Sequence, residues 1–320
     1  MRVGHNPARF VENIAQPAGI TVAVVNCIPF LSGYYEQCLE VLKVVVESLN
    51  ATREADHPYD VMLFDNHSCA EVRAYLKEAS DQGKIQYLVL SDTNIGKLGA
   101  WNYMFGAAQG KYVVFSDGDI CYRTGWLKAS LELFEAFPDV GTVTARPVRS
   151  PIKFSSATLE WARKQPSGVL EEGNLLDWET FLEHALSLGL TEEKSRDLFP
   201  TGRDYRLTLN GKIAFIGTGH FQFMARREVL QSLLPIPSEH PMRGERTLDI
   251  KFNEIGMLHL TTTSSFVAHL GNRLPDDISP VNAVSKPNRW IKRLIWLPGL
   301  RHILLWLHNQ IFRLYFTNSK

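Results

Sequence analysis

Short apolar runs alternate with amphipathic segments through the first half of the chain. The runs have the length and β-branched composition of buried strands, and they lie at 20–26, 59–64, 85–90, 111–116 and 140–144. Between them, the residue pattern predicts helices at 35–49, 70–80, 99–109 and 126–137. Strands that alternate with helices in this way predict an α/β fold with a mostly parallel, Rossmann-like sheet flanked by helices.

The composition is that of an ordinary globular protein, with 320 residues of which 45% are hydrophobic and 21% are charged. No apolar run reaches the roughly 20 residues that span a bilayer, and the N-terminus lacks the pattern of a signal peptide. The four cysteines are scattered without metal-site spacing, which suits a reducing compartment. We therefore expect a cytoplasmic protein, and we expect no nucleic-acid partner.

The end of the chain has a different charge balance from the rest. The net charge is zero, yet no acidic residue follows Asp277, whereas Lys and Arg recur up to Lys320. Residues 278–320 are predicted as a basic, amphipathic helical tail. A helix of this kind lies in a membrane interface, so 288–316 is a candidate for peripheral contact with the cytoplasmic face of a membrane. The alternatives are docking on the acidic body and a dimer contact.

Polar segments follow the predicted strands at their carboxyl ends. Asn26 ends the first strand, Asp65 follows the second, the 92–99 loop follows the third and Asp117 follows the fourth. Ligands of such sheets bind outside the carboxyl ends of the strands. The sequence therefore predicts one ligand site where these segments meet.

Two carboxylates with a glycine between them, Asp117 and Asp119, come directly after an apolar strand. This spacing lets both reach one hard cation, and a divalent ion held there bridges and neutralises a diphosphate. A solvated turn is the alternative, because Asp and Gly are common in turns. The position after a buried strand favours the metal site.

A glycine-rich segment at 94–102 joins the third strand to its helix. Its glycines permit close approach of a ligand to the backbone, and the N-terminus of a helix favours anionic groups. On this reasoning Lys97 contacts either a phosphate or only solvent. Segments of this composition are also common as purely structural connections.

Taken together, these motifs resemble the nucleotide-sugar-binding half of family 2 glycosyltransferases with the GT-A fold. The matching stretches are DNHS at 65–68, NIGKLGAWN at 94–102 and AAQGKYVVFSDGD at 107–119. The resemblance implies a metal-assisted, inverting transfer of a sugar from a nucleotide-diphosphate donor to a hydroxyl of a glycan or lipid-linked acceptor. UDP is the commonest nucleotide in the family, and Mn²⁺ or Mg²⁺ is the implied cofactor.

The resemblance also implies roles for individual residues. Asp119 ligates the metal ion, Asp117 faces the ribose and the water shell of the metal, and Asp65 contacts the nucleotide base. Trp101 stands where many family members carry arginine, so it is expected at the nucleotide pocket. The other residues predicted at the nucleotide-sugar site are Asn26, Asn94, Gly96, Lys97 and Asn102.

The second half of the chain carries the predicted catalytic base. The stretch 217–229 resembles the acceptor loop, strand and helix start of the family, in which an acidic motif follows at the start of another helix. Counting back from Gly256 places Glu245 at the position of the base, with Thr247 replacing the usual second acid and Asp249 as the competitor. A base must remove the proton of the acceptor hydroxyl. The alternative is a carboxylate that only interacts favourably with the helix dipole.

His269 ends a late apolar run. Family members often place a metal-ligating or phosphate-contacting histidine after this strand, and a neutral imidazole beside Asp119 suits manganese. A lone histidine after a strand is otherwise more often structural. We expect His269 to complete the metal site.

The predicted organisation is a GT-A domain at 1–277 followed by the tail. The parts of the domain are a nucleotide-sugar-binding half at 20–145, a helical insert at 150–212 and an acceptor and catalytic half at 213–277. Long excursions are commonly functional, and the hypothesis for the insert is a lid over the acceptor. Two other protein classes remain open. One is a nucleotide-sugar-binding protein without turnover, and the other is a nucleotidyltransferase, which normally has a glycine-rich, basic loop after its first strand.

Overall fold

The computed structural model of the protein describes residues 4–274. The predicted tail at 278–320, with its membrane contact at 288–316, lies outside the described residues. In the described part, no helix is long and apolar enough to cross a membrane. The four cysteines are free thiols at partly buried positions.

Strands and helices alternate along the chain. The strands are β1 (Ile20–Asn26), β2 (Tyr59–Asn66), β3 (Tyr87–Ser91), β4 (Tyr112–Asp117), β5 (Ile120–Tyr122), β6 (Val140–Thr144), β7 (Gly168–Gly173), β8 (Asp204–Leu209), β9 (Lys212–Ile216), β10 (Gln222–Arg226), β11 (Leu258–Thr261) and β12 (Val267–His269). The helices are α1 (Cys38–Ala51), α2 (Ala70–Asp81), α3 (Gly96–Ala107), α4 (Trp126–Ala136), α5 (Ser156–Arg163), α6 (Trp178–Ser187), α7 (Glu192–Leu198), α8 (Arg227–Ser232) and α9 (Arg246–Glu254).

One 10-stranded sheet forms the centre of the molecule, in the order β3-β2-β1-β4-β10-β6-β11-β9-β8-β7. The strands β3, β2, β1 and β4 are parallel, and β6 and β11 are parallel to each other. Strand β10 runs antiparallel between β4 and β6. The α/β prediction is confirmed, and the parallel strands form the half that carries the predicted nucleotide-sugar motifs.

The sheet has a separate apolar core on each face. Along β1, Val22 and Val24 pack into the core formed with α1, α2 and α4, whereas Ala23 and Val25 pack into the core formed with α3, α8 and α9. Successive side chains of a strand point to opposite faces, and helices cover both. This burial on two sides explains why the sequence of β1 is a continuous apolar run rather than an alternating one.

The insert at 150–212 contains more than the predicted helices. Helices α5, α6 and α7 lie in this segment, in agreement with the predicted helical insert. Strands β7 and β8 are additional, and together with β9 they extend the main sheet by antiparallel pairing. The hydrophobic pattern of the sequence does not predict these two strands, because charged residues occupy them. Glu171 and Arg206 face each other across the β7–β8 pair and form an ion pair at 2.8 Å.

Candidate active site

The carboxyl ends of β1, β2 and β4 lie side by side. In the pairing register, Asn26 is opposite Asp65, and Val25 is opposite both Phe64 and Asp117. Asn26, Asp65 and Asp117 are therefore neighbours at one edge of the sheet, although they come from three separate segments of the chain. The convergence expected from the sequence is present in the structure.

A buried network holds Asp65. Its Oδ1 accepts a hydrogen bond from the Asn26 side chain at 3.4 Å, and its Oδ2 accepts from the Ser68 backbone N–H at 3.2 Å and from Arg73 Nε at 3.0 Å. The Ser68 hydroxyl in turn accepts from Asn26 at 3.0 Å and from the Ile28 N–H at 2.8 Å. The network fixes the orientation of the Asp65 carboxylate, which is predicted to contact the nucleotide base. Arg73 is not among the residues predicted from the sequence, because its bond to Asp65 depends on how α2 packs beside β2.

Helix α3 begins at Gly96, three residues before the predicted start. Gly96 has a φ of +76°, which favours glycine. Its N–H donates to Asn94 Oδ1 at 2.9 Å, and the Asn94 oxygen also accepts from Asn66 at 3.0 Å. The next N–H, of Lys97, donates to the Pro241 carbonyl at 3.0 Å. Protein groups thus occupy the first two N–H groups of the helix, where the sequence predicts an anionic group.

Two residues of α3 that were expected at the nucleotide pocket make internal contacts. Both polar atoms of the Asn102 amide bind the backbone of Ile236, at 2.7 and 2.8 Å. Trp101 is fully buried and packs edge-on against Phe115, with ring centroids 4.8 Å apart. The expectation that Trp101 lies at the pocket is wrong, because its ring packs in the apolar core among Phe105, Phe115 and Phe223.

Lys97 forms an ion pair with Asp117 rather than facing only solvent. Its ammonium lies 2.7 Å from Oδ1 and 2.8 Å from Oδ2 of Asp117. Burial raises the pKa of Asp117 to about 6, the Asp119 carboxylate adds to the rise, and Lys97 opposes it. Lys97 therefore neutralises the carboxylate closest to the end of β4.

Asp119 and His269 lie together beside this pair. Strands β5 and β12 pair Ile120 with His269, and the Leu270 N–H donates to the Asp119 carbonyl at 2.8 Å. This brings His269 Nε2 to 3.5 Å from Asp119 Oδ2. The other oxygen, Oδ1, is buried and has no hydrogen-bond partner among residues 4–274. A buried carboxylate oxygen without a partner is costly, and a bound cation removes that cost.

The chemistry of these two groups fits a divalent metal. Burial lowers the pKa of His269, so its imidazole is neutral and able to ligate. Burial raises the pKa of Asp119 to about 6, and ionisation near neutral pH provides an oxygen ligand. In the described range no group of three or more His, Cys, Asp and Glu side chains could hold a metal ion by itself. Ions such as Mg²⁺ commonly take only one or two protein carboxylates, with phosphates and waters as the other ligands.

The two candidate bases have different surroundings. Asp249 is buried, and its oxygens are bound by the Thr218 hydroxyl at 2.9 Å and by Arg246 at 2.9 Å. Glu245 is partly exposed at the N-terminus of α9, and its carboxylate has no side-chain hydrogen bond or ion pair with any described residue. Both carboxylate oxygens of Asp249 are therefore used in internal contacts, whereas the carboxylate of Glu245 is available to contact a ligand.

The loop before Glu245 lies against the start of α3. Besides the contact between Pro241 and Lys97, a Cβ atom placed on Gly244 would lie 3.0 Å from Cδ1 of Leu98. The segment that carries Glu245 is thus close to the segment that carries Lys97, the partner of Asp117. The predicted base therefore lies on a segment that adjoins the turn at the start of α3.

The mixed sheet with helices on both faces is that of glycosyltransferases with the GT-A fold. The chain belongs to glycosyl transferase family 2, whose family model matches residues 33–233. A structure of GalNAc-T7 with UDP, GalNAc and Mn²⁺ has a TM-score of 0.50 and 14% identity, over 85% of this chain and 47% of that chain. No curated protein sequence gives a significant match.

Two further solved structures are similar at lower scores. The mannosyltransferase PcManGT from Pyrobaculum calidifontis, in complex with GDP-Man and Mn²⁺, has 17% identity and a TM-score of 0.43, over 87% of this chain and 61% of that chain. Glucosyl-3-phosphoglycerate synthase from Mycobacterium tuberculosis, in a complex with Mn²⁺ and UDP, has 15% identity and a TM-score of 0.41, over 81% and 74%. The chain thus spans less than two thirds of PcManGT and GalNAc-T7.

Proposed function

We propose that this protein is an inverting glycosyltransferase that moves a sugar from a nucleotide-diphosphate donor, a UDP-sugar, to a hydroxyl acceptor with the help of a divalent metal. The observation that carries the proposal is the buried, partnerless Oδ1 of Asp119 beside a neutral His269 at the carboxyl end of β4. Family membership supports sugar transfer as the reaction. The Mn²⁺ complexes of similar proteins support the choice of metal.

Asp119 and His269 are the residues that would hold Mn²⁺ or Mg²⁺. Such an ion, when bound, stabilises the charge that develops on a departing diphosphate. Lys97 holds Asp117 through its ion pair, and in this proposal Asp117 faces the ribose and the water shell of the ion. Since Lys97 already neutralises Asp117, the pair adds little charge of its own beside the diphosphate.

The nucleotide base lies over the network of Asn26, Asp65 and Ser68, whose hydrogen bonds fix the Asp65 carboxylate before any ligand arrives. Pre-formed orientation of this kind lowers the entropy cost of binding. Asn94 and Gly96 shape the adjacent turn. Asn102 binds the backbone of Ile236 and does not contact the ligand in this proposal, so its role is to stabilise the structure around the pocket.

Glu245 is the base in this proposal. Its carboxylate accepts the proton of the acceptor hydroxyl while the hydroxyl oxygen attacks the anomeric carbon from the face opposite the diphosphate. The absence of internal partners around Glu245 among the described residues supports this choice over Asp249. Asp249 instead anchors Thr218 of the β9–β10 loop and Arg246 of α9.

The sequence pattern of the tail supports a membrane-associated acceptor. Residues 288–316 are apolar, aromatic and basic without any acid, a composition that favours anionic lipid surfaces. We therefore propose peripheral attachment at the cytoplasmic face and a glycan or lipid-linked acceptor there, as in polysaccharide biosynthesis.

The test is a thermal-shift panel of UDP-, GDP-, dTDP- and CDP-sugars, each with and without Mn²⁺, on the wild type and Asp119→Ala. A ligand at about 100 times its dissociation constant stabilises the fold by roughly 2.7 kcal/mol. We expect a Mn²⁺-dependent shift with the UDP-sugars that Asp119→Ala abolishes. No shift with any donor, or an equal shift in the variant, contradicts the proposed site. A shift without release of nucleotide diphosphate identifies a binding protein without turnover.

A further inference from the structure

Helix α6 of the insert lies against the strand that carries His269. Arg146, which is fully buried, donates to the Thr180 carbonyl of α6 at 3.0 Å and to the Val267 carbonyl of β12 at 3.4 Å. Farther along, a Cβ atom placed on Gly271 would lie 3.1 Å from the carbonyl oxygen of Ser187, the last residue of α6. Arg146 thus links the insert to the start of the short strand that ends at His269, and the insert also lies close to the chain just after that strand.

Two rings hold the His269 ring edge-on. The centroid of His184, on α6, lies 6.2 Å from that of His269 with the ring planes at 87°. The centroid of Phe221 lies 5.8 Å from that of His269 at 75°, and 5.1 Å from that of His184. Edge-to-face contacts of this kind are favourable and directional. The two rings therefore limit the rotation of the imidazole of His269.

Within residues 4–274, no hydrogen bond of Nδ1 sets the orientation of this imidazole. A metal-ligating histidine normally donates its second ring N–H to a carboxylate or carbonyl, which fixes the ring. The Nδ1 of His269 is buried and has no such partner among residues 4–274. The contacts with the rings of His184 and Phe221 are therefore the interactions that orient the imidazole of His269.

We propose that His184 is a positioning residue that orients His269 toward Asp119, so that the insert forms part of the divalent-metal site. The inference rests on the proposed function, in which Asp119 and His269 hold the ion. It differs from a lid, because α6 acts through a fixed ring contact at the metal and not by covering the acceptor. The insert then determines how tightly the protein binds the ion.

The experiment measures Mn²⁺ affinity of the full-length protein without a donor, by the electron paramagnetic resonance signal of free Mn²⁺. His184→Ala is expected to weaken Mn²⁺ binding about tenfold or more, as loss of outer-shell support to a metal ligand does. His184→Phe keeps an aromatic edge and is expected to bind Mn²⁺ nearly as the wild type does. Leu186→Ala, at a 48% exposed position of the same helix, is the control and is expected to change nothing.

Thermal unfolding of the metal-free variants separates loss of fold from loss of metal. If His184→Ala does not fold, His184→Leu replaces it as the variant without an aromatic ring. Unchanged Mn²⁺ affinity in the variant without the ring, or an equal loss in His184→Phe, overturns the inference. Asp119→Ala tests the proposed function in the same assay. If Asp119→Ala binds Mn²⁺ like the wild type, the metal site itself is wrong, which is a different outcome from a failure of His184 alone.

Discussion

Asp117 and Asp119 are carboxylates in a mostly buried position, and burial raises the pKa of each to about 6. An ordinary aspartate has a pKa of about 3.9, so the folded state binds these protons more tightly than the unfolded state does. The stability that results is fully present below about pH 4 and is lost as the pH rises through about 6. At neutral pH the metal-free protein therefore carries an ionised Asp119 in an unfavourable position, whereas Lys97 neutralises Asp117.

Asp119→Asn removes one of these charges. We expect the variant to have a higher Tm than the wild type at pH 7.5 in EDTA, and this difference to shrink toward zero at pH 4. The measurement is thermal unfolding at both pH values, with the exposed Asp56→Asn as control. A variant that is less stable than the wild type at pH 7.5 would show that the carboxylate stabilises the metal-free fold.

The two candidate bases are separated by paired substitutions. Glu245→Gln is expected to lower kcat by about 10² to 10⁴ while the Tm and the affinity for the donor stay unchanged, since Glu245 has no internal partner in the described chain. Asp249→Asn is expected to lower the Tm, because Thr218 and Arg246 lose a charged acceptor. Release of nucleotide diphosphate and thermal unfolding are the two measurements. The reverse pattern would assign the base to Asp249.

At the scale of residues, the sequence predicts which polar side chains follow the strands. It does not predict which other side chains hold them in position. Asp119 follows a buried strand directly, so its place at the sheet edge could be predicted. The bond from Arg73 to Asp65 depends on how α2 packs beside β2, which spacing alone does not show. The expectation for Trp101 came from the resemblance, which does not show that its ring packs on Phe115 and Phe223 in this chain.

At the scale of elements, the close contact between β1 and the start of β4 depends on one glycine. A Cβ atom at Gly110 would lie 2.6 Å from the Thr21 backbone nitrogen and 2.8 Å from Cα of Ile20. These are backbone atoms of β1, so the clash cannot be relieved by a side-chain rotation. The turn between α3 and β4 therefore has little tolerance for a larger residue.

Gly110→Ala is expected to destabilise the protein by about 1–3 kcal/mol, the usual cost of overpacking. Gly106→Ala, four residues earlier in α3, meets no atom within 4 Å and is expected to be neutral or to stabilise by about 0.4–1 kcal/mol. Urea denaturation of both variants gives the comparison. Equal stability of the two would mean that β1 moves to make room.

The existence of most elements of the first half could be predicted, because both faces of β1 and β4 are covered and their sequences are apolar except near the strand ends and at Thr21. Strands β7 and β8 could not, since cross-strand charges such as Glu171 and Arg206 replace apolar residues there. Strand β5 has only 3 residues, too few for a periodic signal. Cross-strand pairing, rather than local pattern, defines these elements.

At the scale of the whole molecule, the chain is acidic in its body and basic at its end. All acidic residues lie at or before Asp277, so truncation there removes only basic and neutral residues. We expect the full-length protein to float with liposomes that contain anionic lipid, and the 1–277 protein to stay in the soluble fraction. The attraction is expected to weaken at high salt. Equal flotation of the two proteins contradicts a membrane role for the tail.

The order of the strands could not be predicted from the sequence. The pattern indicated parallel strands and right-handed crossovers, but it gave no reason for β10 to enter between β4 and β6. That arrangement depends on the fit of Phe223 against Phe115 and Trp101 in one core. Long-range packing of this kind decides topology after the local elements have formed.

The position of β10 also has a consequence for synthesis on the ribosome. Strand β4 is bordered by β1, which precedes it, and by β10, which starts at Gln222. At roughly 5–20 residues per second, the emerging chain waits about 5–20 s for that second neighbour. Meanwhile one edge of β4 offers unpaired N–H and C=O groups to any other nascent strand. Slow translation of the insert prolongs this interval, so aggregation of newly made protein is expected to depend on codon usage across 150–212.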